Sequence, residues 1–131
     1  MNQSKKILVV EDEPDLQEIL KHLLGDAGYA VQCAGNGGEG LRLYDEFIPD
    51  LVLLDVHLPD MSGFEICREI RTHRKNPKTP IVLCTVRSEV SPVAEGLNSG
   101  ADDYILKPFE VDNFLERVRE VLERNKNRRD S

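Results

Sequence analysis

Leu51-Val52-Leu53-Leu54-Asp55 sets four apolar residues in unbroken succession and ends them on an acid. A strand with one wet face alternates apolar and polar side chains. A strand covered on both faces has no need to, and such runs typify a parallel sheet packed between helices. Two further runs share the pattern: Ile7-Leu8-Val9-Val10 leads into Glu11-Asp12, and Tyr104-Ile105-Leu106 leads into Lys107-Pro108. The carboxyl ends of neighbouring parallel strands lie along one edge, so these polar residues are expected to meet there. Three carboxylates and a lysine a few Å apart would push at least one acid towards its protonated form. A divalent cation lets all three stay ionised. The pattern therefore predicts an Mg²⁺ site, and Mg²⁺ points in turn to phosphate. Solvated loops also place acids after strands, which accounts for any one of these residues but poorly for the set.

Outward from these runs, strand and helix signals alternate five times. Pro14 stands where a first helical turn accepts it, and Leu16, Ile19, Leu20, Leu23 and Leu24 recur at helical spacing as far as Gly25 and Gly28. A short strand near Ala30 to Ala34 precedes a glycine-rich turn and a helix carrying Leu41, Leu43, Tyr44 and Phe47. Leu58-Pro59-Asp60-Met61-Ser62-Gly63 reads as a turn, followed by a third helix marked by Phe64, Ile66, Cys67 and Ile70. Arg71 to Pro80 reads as a basic exposed loop, and Ile81-Val82-Leu83-Cys84 as a strand ending at Thr85. A weaker fourth helix carries Val90, Val93, Ala94 and Leu97 and stops near Gly100. The last helix is strongly amphipathic, with Val111, Phe114, Leu115, Val118, Val121 and Leu122. This alternation implies a parallel sheet with helices on both faces and right-handed crossovers. Ligands in that architecture bind at the carboxyl edge, where the strand order reverses.

A length of 131 residues suits one domain with one core. Cys33, Cys67 and Cys84 show no CxxC spacing and are expected to be buried free thiols of a reducing cytoplasm. No signal peptide is visible at Met1 to Lys6, and no apolar stretch approaches membrane-spanning length. A net charge of −7 argues against direct nucleic-acid binding, because a phosphate backbone would be repelled. A cytoplasmic domain without membrane contact is expected.

Gly35-Asn36-Gly37-Gly38-Glu39-Gly40 satisfies G-x-G-x-x-G after a strand, the signature of a dinucleotide-binding turn. Against it, the preceding strand contains Gln32 and is short, as at a sheet edge, and the chain lacks a second mononucleotide half. A tight turn and helix start needing glycine dihedrals is the simpler reading. The remaining edge residues suit phosphoryl transfer. A carboxylate oxygen of Asp55 can attack phosphorus to give an acyl phosphate, which needs in-line approach and charge neutralisation. Mg²⁺ held by Asp12 and Asp55, with Glu11 through water, would supply part of that charge, and Lys107 the rest. Thr85 can donate a further hydrogen bond. Taken singly, Thr85 reads equally as a helix cap and Lys107 as a surface lysine.

Together, Glu11-Asp12, Asp55, Leu58-Pro59-Asp60-Met61-Ser62-Gly63, Thr85, Gly100-Ala101-Asp102-Asp103-Tyr104 and Lys107-Pro108-Phe109 resemble the receiver domain of bacterial two-component response regulators. The resemblance runs from about Lys5 to Arg124. It implies an α/β fold, a flavodoxin-like (βα)5 three-layer sandwich whose five-stranded parallel sheet has the order 2-1-3-4-5. It also implies that Asp55 accepts a phosphoryl group from the phosphohistidine of a sensor histidine kinase or phosphotransfer protein. Asp12, Asp55 and the backbone carbonyl of His57 would ligand Mg²⁺ beside Glu11, with Lys107 and Thr85 contacting phosphate. Thr85 and Tyr104 would form a switch pair: Thr85 moves to the new phosphoryl oxygens, Tyr104 turns into the space left, and the surface of the fourth helix, fifth strand and fifth helix rearranges.

Departures from that pattern are Val86, where receivers usually carry a very small residue, and His57, both expected to modulate the mouth of the site. Residues 1–124 are expected to be the receiver domain and residues 125–131 a basic tail or the start of a linker. Asp102, Asp103 and Arg117 on the presumed output face resemble receivers of winged-helix (OmpR/PhoB-type) transcription factors, which implies a phosphorylation-dependent homodimer. A piece of a longer regulator is favoured over a stand-alone receiver. A phosphate-stripping hydrolase of the haloacid-dehalogenase type would carry a second Asp where His57 stands, so a general acid is missing and a turnover enzyme is not expected. A degenerate receiver that only binds partners would have lost an acid or the lysine, and none is lost here.

Overall fold

The runs that lack polar interruptions form the strands, and the segments with helical spacing form the layers that cover them. The computed structural model describes residues 4–86 and 100–130, leaving aside the side chains of Val86 and of residues 125–130. In chain order the elements are β1 (Lys6–Val10), α1 (Pro14–Asp26), β2 (Ala30–Ala34), α2 (Gly37–Phe47), β3 (Leu51–Asp55), α3 (Gly63–His73), β4 (Ile81–Val86), β5 (Asp103–Lys107) and a C-terminal helix (Val111–Asp130). All neighbouring strands pair in parallel in the order β2-β1-β3-β4-β5, as expected. The order reverses between β1 and β3, so the tips of those two strands flank the crevice where such sheets bind ligands. The expected fourth helix, with Val90, Val93, Ala94 and Leu97, lies outside the described residues.

Alternation along the strands sorts the core into two layers. Leu8, Val10, Val52, Leu54 and Leu83 pack against α2 and α3 through Tyr44, Phe64, Ile66 and Ile70. Ile7, Val9, Leu51, Leu53 and Val82 face α1 and the C-terminal helix, meeting Leu20, Leu24, Phe114 and Val118. This two-sided burial is what the unbroken apolar composition of β1 and β3 demands.

Two sequence readings need correction. Arg71 to Pro80 is not simply an exposed loop: α3 runs to His73, and Thr79 and Pro80 are buried. The half-buried Arg71 donates to the carbonyls of Gly100, Pro77 and Thr79 and to Asp102 Oδ2, at 2.7–2.9 Å. The glycine-rich segment is also different in kind. Gly37, Gly38 and Gly40 lie inside the first turn of α2, capped by the Asn36 side chain on the Glu39 N–H at 2.8 Å. Among described glycines only Gly28 and Gly100 have positive φ, so the segment needs glycine for space rather than for dihedrals. A Cβ at position 40 would stand 3.0 Å from a Val10 methyl.

Helix α2 ends on a strained residue. Ile48 caps it in the left-handed region (φ 51, ψ 65), with its side chain 54% exposed. That conformation costs an L-residue about 1–2 kcal/mol. Ile48→Asn, which tolerates the region, is expected to raise stability by about 1 kcal/mol, read as a higher thermal midpoint.

Candidate functional site

Strand geometry alone gathers the acids. β1 delivers Glu11 and Asp12 just past its end, and β3, its sheet neighbour, ends on Asp55. Each of the three residues offers a carboxylate oxygen, and these oxygens lie within 4.8 Å of one another. Glu11 is buried, Asp55 half-buried and Asp12 exposed, so the cluster opens outward through Asp12. Lys107, at the end of β5, brings Nζ to 2.9 Å from Glu11 Oε1 and 3.6 Å from Asp55 Oδ1. Burial works to lower the Lys107 pKa, but its hydrogen bond to Glu11 and the charges of Asp55 and Glu11 outweigh this and hold it above its ordinary value. Lys107 is thus a fixed cation of the site rather than a free surface lysine.

Among the described residues one cation, Lys107, stands against the three acids, and the all-oxygen donor set suits a hard ion. Opposite corners of an Mg²⁺ octahedron stand roughly 4 Å apart, so the carboxylates need move little to hold one. Both Glu11 oxygens have partners: Oε1 takes Lys107, and Oε2 accepts the Glu13 N–H at 3.1 Å. That engagement fits Glu11 for contact through water rather than direct ligation.

Thr85 is a buried residue of β4 and follows Cys84, the register partner of Asp55. Burial pushes the Cys84 thiol up to about 12 against the pull of Lys107, so it is a neutral filler beside the acids and not a nucleophile. Tyr104 is half-buried in β5 and packs on the layer that contains Leu83, its register partner. His57 is exposed, and its N–H donates to Asp55 Oδ1 at 3.3 Å. The backbone of Val86 closes β4, opposite Lys107 in register, while its side chain lies outside the described residues. On the flank, Asp103 pairs with Arg117 and Arg124, each at 2.9 Å, whereas Asp102, grouped with them by sequence, turns instead to Arg71.

Gln17 escaped the sequence reading. Its amide donates to the Glu11 carbonyl and, at 3.2 Å, to the Ala34 carbonyl, tying the tips of β1 and β2 beneath the acids. A polar residue on the amphipathic first helix carries no signal of that reach. The G-x-G-x-x-G segment holds no dinucleotide turn, since β2 is an edge strand and the first amides of α2 already bind Asp60.

This sheet order with acids and lysine at its carboxyl edge defines a class. Residues 7–119 match the family described as the response regulator receiver domain, and the chain belongs to that family. It is a receiver domain of response regulators, working in phosphorylation-based two-component signalling. Among curated relatives, the DNA-binding response regulator MtrA of Mycolicibacterium smegmatis is 42% identical over 92% of this chain and 52% of its own length. RpaA of Synechocystis, a DNA-binding dual master transcriptional regulator, is 37% identical over 91% of this chain and 49% of its own. The chain thus spans about half the length of the curated relatives it matches. Among solved structures, a CheY-like receiver domain protein from Methanospirillum hungatei superposes with a TM-score of 0.88 at 32% identity, covering 96% of this chain and 99% of that one. The chemotaxis response regulator CheY4 of Vibrio cholerae gives 0.85 at 31% identity, over 91% and 99%. Among the described residues no helix is long and apolar enough to cross a membrane.

Proposed function

We propose that Asp55 is the phosphoacceptor of this receiver, loaded by a sensor histidine kinase or phosphotransfer protein in the presence of Mg²⁺. The observation that carries the reading is the convergence of Glu11, Asp12 and Asp55 with Lys107 at one sheet edge. Asp12, Asp55 and the His57 carbonyl would hold the ion, with Glu11 through water; bound there, it neutralises charge on the transferring phosphoryl group. The chain's own part is to present a carboxylate oxygen of Asp55 in line, with Lys107 Nζ beside it to balance developing charge.

In this reading Thr85 and Tyr104 are the switch pair, while His57 and Val86 shape the mouth of the site. Residues 1–124 form the receiver and 125–131 a tail or linker start. The domain is a cytoplasmic switch rather than a turnover enzyme, since His57 stands where a hydrolase would need its second acid. A partner-binding module without phosphorylation is disfavoured because all three acids and the lysine are present. The output is a phosphorylation-dependent homodimer through the surface that includes β5 and the C-terminal helix, whose Asp103, Arg117 and Arg124 charges are available to re-pair.

Intact mass after incubation with acetyl phosphate and Mg²⁺ tests the reading. Wild type is expected to gain one phosphoryl group and Asp55→Asn none. An equal gain in both would move the acceptor elsewhere.

A further inference from the structure

The turn between β3 and α3 is fastened at its neck and at its tip. At the neck, the Gly63 N–H donates to the Val56 carbonyl at 2.9 Å, and His57 and Ser62 form an isolated antiparallel bridge. At the tip, the two carboxylate oxygens of Asp60 divide between two amides: Oδ1 accepts the Gly37 N–H at 2.7 Å and Oδ2 the Gly38 N–H at 2.9 Å. These are amides of the first turn of α2, otherwise without intrahelical partners, and a helix amino end favours a carboxylate. The same two N–H groups hold the Asp60 carboxyl below its ordinary range.

Space around the clamp is matched to it. A Cβ at position 37 would lie 2.3 Å from Met61 Cγ and 2.6 Å from its sulfur, so glycine there lets Met61 pack against the helix start, and a larger residue would turn that side chain away. The glycine-rich motif therefore does bind an anion, but an internal one, supplied 22–23 residues later in the chain. His57 belongs to the neck of this turn through its bridge to Ser62, and its N–H faces Asp55.

We propose that Asp60 is a positioning residue for the metal site: by clamping the 57–62 turn onto the amino end of α2, it holds the His57 carbonyl where the ion needs it. The inference rests on the Mg²⁺ reading given above. A bidentate, charge-assisted contact fixes direction as well as distance, which a single bond would not. Without it the turn keeps its neck and the packing of Leu58 and Met61 on the core, neither of which fixes the direction of the tip, and ordering that tip counts against ion binding. Partners that orient metal ligands typically cost about 10–100-fold in affinity when removed. Asp60 is exposed, so its removal costs little packing.

The test is a Mg²⁺ titration followed by amide resonances in wild type, Asp60→Ala, Asp60→Asn and Asp12→Asn, beside thermal midpoints in metal-free buffer. Asp60→Ala is expected to move the Gly37 and Gly38 amides and to bind Mg²⁺ about tenfold more weakly. Asp60→Asn, which keeps one acceptor oxygen, should fall between it and wild type. Wild-type affinity in Asp60→Ala, with those amides moved, overturns the inference and leaves the metal site standing. A lowered midpoint with unchanged affinity reduces Asp60 to a structural cap and overturns it equally. Wild type without saturable Mg²⁺ binding, or Asp12→Asn binding as well as wild type, overturns the metal reading and this inference with it.

Discussion

Gly63→Ala is expected to cost about 3 kcal/mol of folding stability, read as a fall in the urea midpoint. An added Cβ would stand 2.5 Å from the Asp55 carbonyl oxygen and 3.1 Å from Val56 Cα. Both are backbone atoms at the end of β3, the strand held on one side by β1 and on the other by β4. Relief requires moving that backbone or the first turn of α3, and the Gly63 N–H to Val56 bond resists both. The comparison that isolates this cause is Gly37→Ala. There the closest atoms belong to the flexible Met61 side chain, which can turn away. An equal loss in the two variants would sink the backbone explanation. The same shift would displace Asp55, so phosphorylation of the folded variant should slow as well.

Arg71→Ala is expected to lose about 3 kcal/mol, within the range for breaking one side of a buried ion pair. The pair with Asp102 is 2.9 Å long, and the two side chains are only 20% and 21% exposed. Asp102 Oδ2 also accepts the Ile81 N–H at 2.8 Å, so the acid joins the start of β4 to the start of β5. Removing the guanidinium takes from that acid its charge partner at 2.9 Å and takes donors from three carbonyls. Arg71→Lys should recover less than half, because a point charge on a flexible stem cannot reproduce a planar fork. Thermal unfolding of the three proteins checks this. Faster hydrogen exchange at the Ile81 amide would locate the loss at the staple, and unchanged exchange there would contradict it.

Most of the sheet was legible because β1 and β3 are buried on both faces and therefore lack polar interruptions. Glu11, Asp12, Asp55 and Lys107 were legible for a related reason. Once the strands are parallel, residues at their carboxyl ends must converge, whatever their separation in the chain. What stayed hidden depends on side-chain reach. Arg71 sits in a run of basic residues that looks solvated, and only the fold brings Gly100, Thr79 and Asp102 around it. Asp60 looked like an ordinary turn residue, and Gly37 and Gly38 like dihedral glycines, until the sheet set the two turns side by side. Gln17 likewise serves two carbonyls that only β1–β2 pairing makes neighbours.

The Arg71 staple and the acid cluster occupy opposite ends of β4 and β5, separated by roughly 16 Å of extended chain. Substitutions so far apart and sharing no partner act independently on stability. Natural drift or deliberate redesign can therefore retune the ionic mouth of this domain without loosening the fastening that keeps the last two strands in register. Robustness and adaptability are assigned to different ends of one sheet.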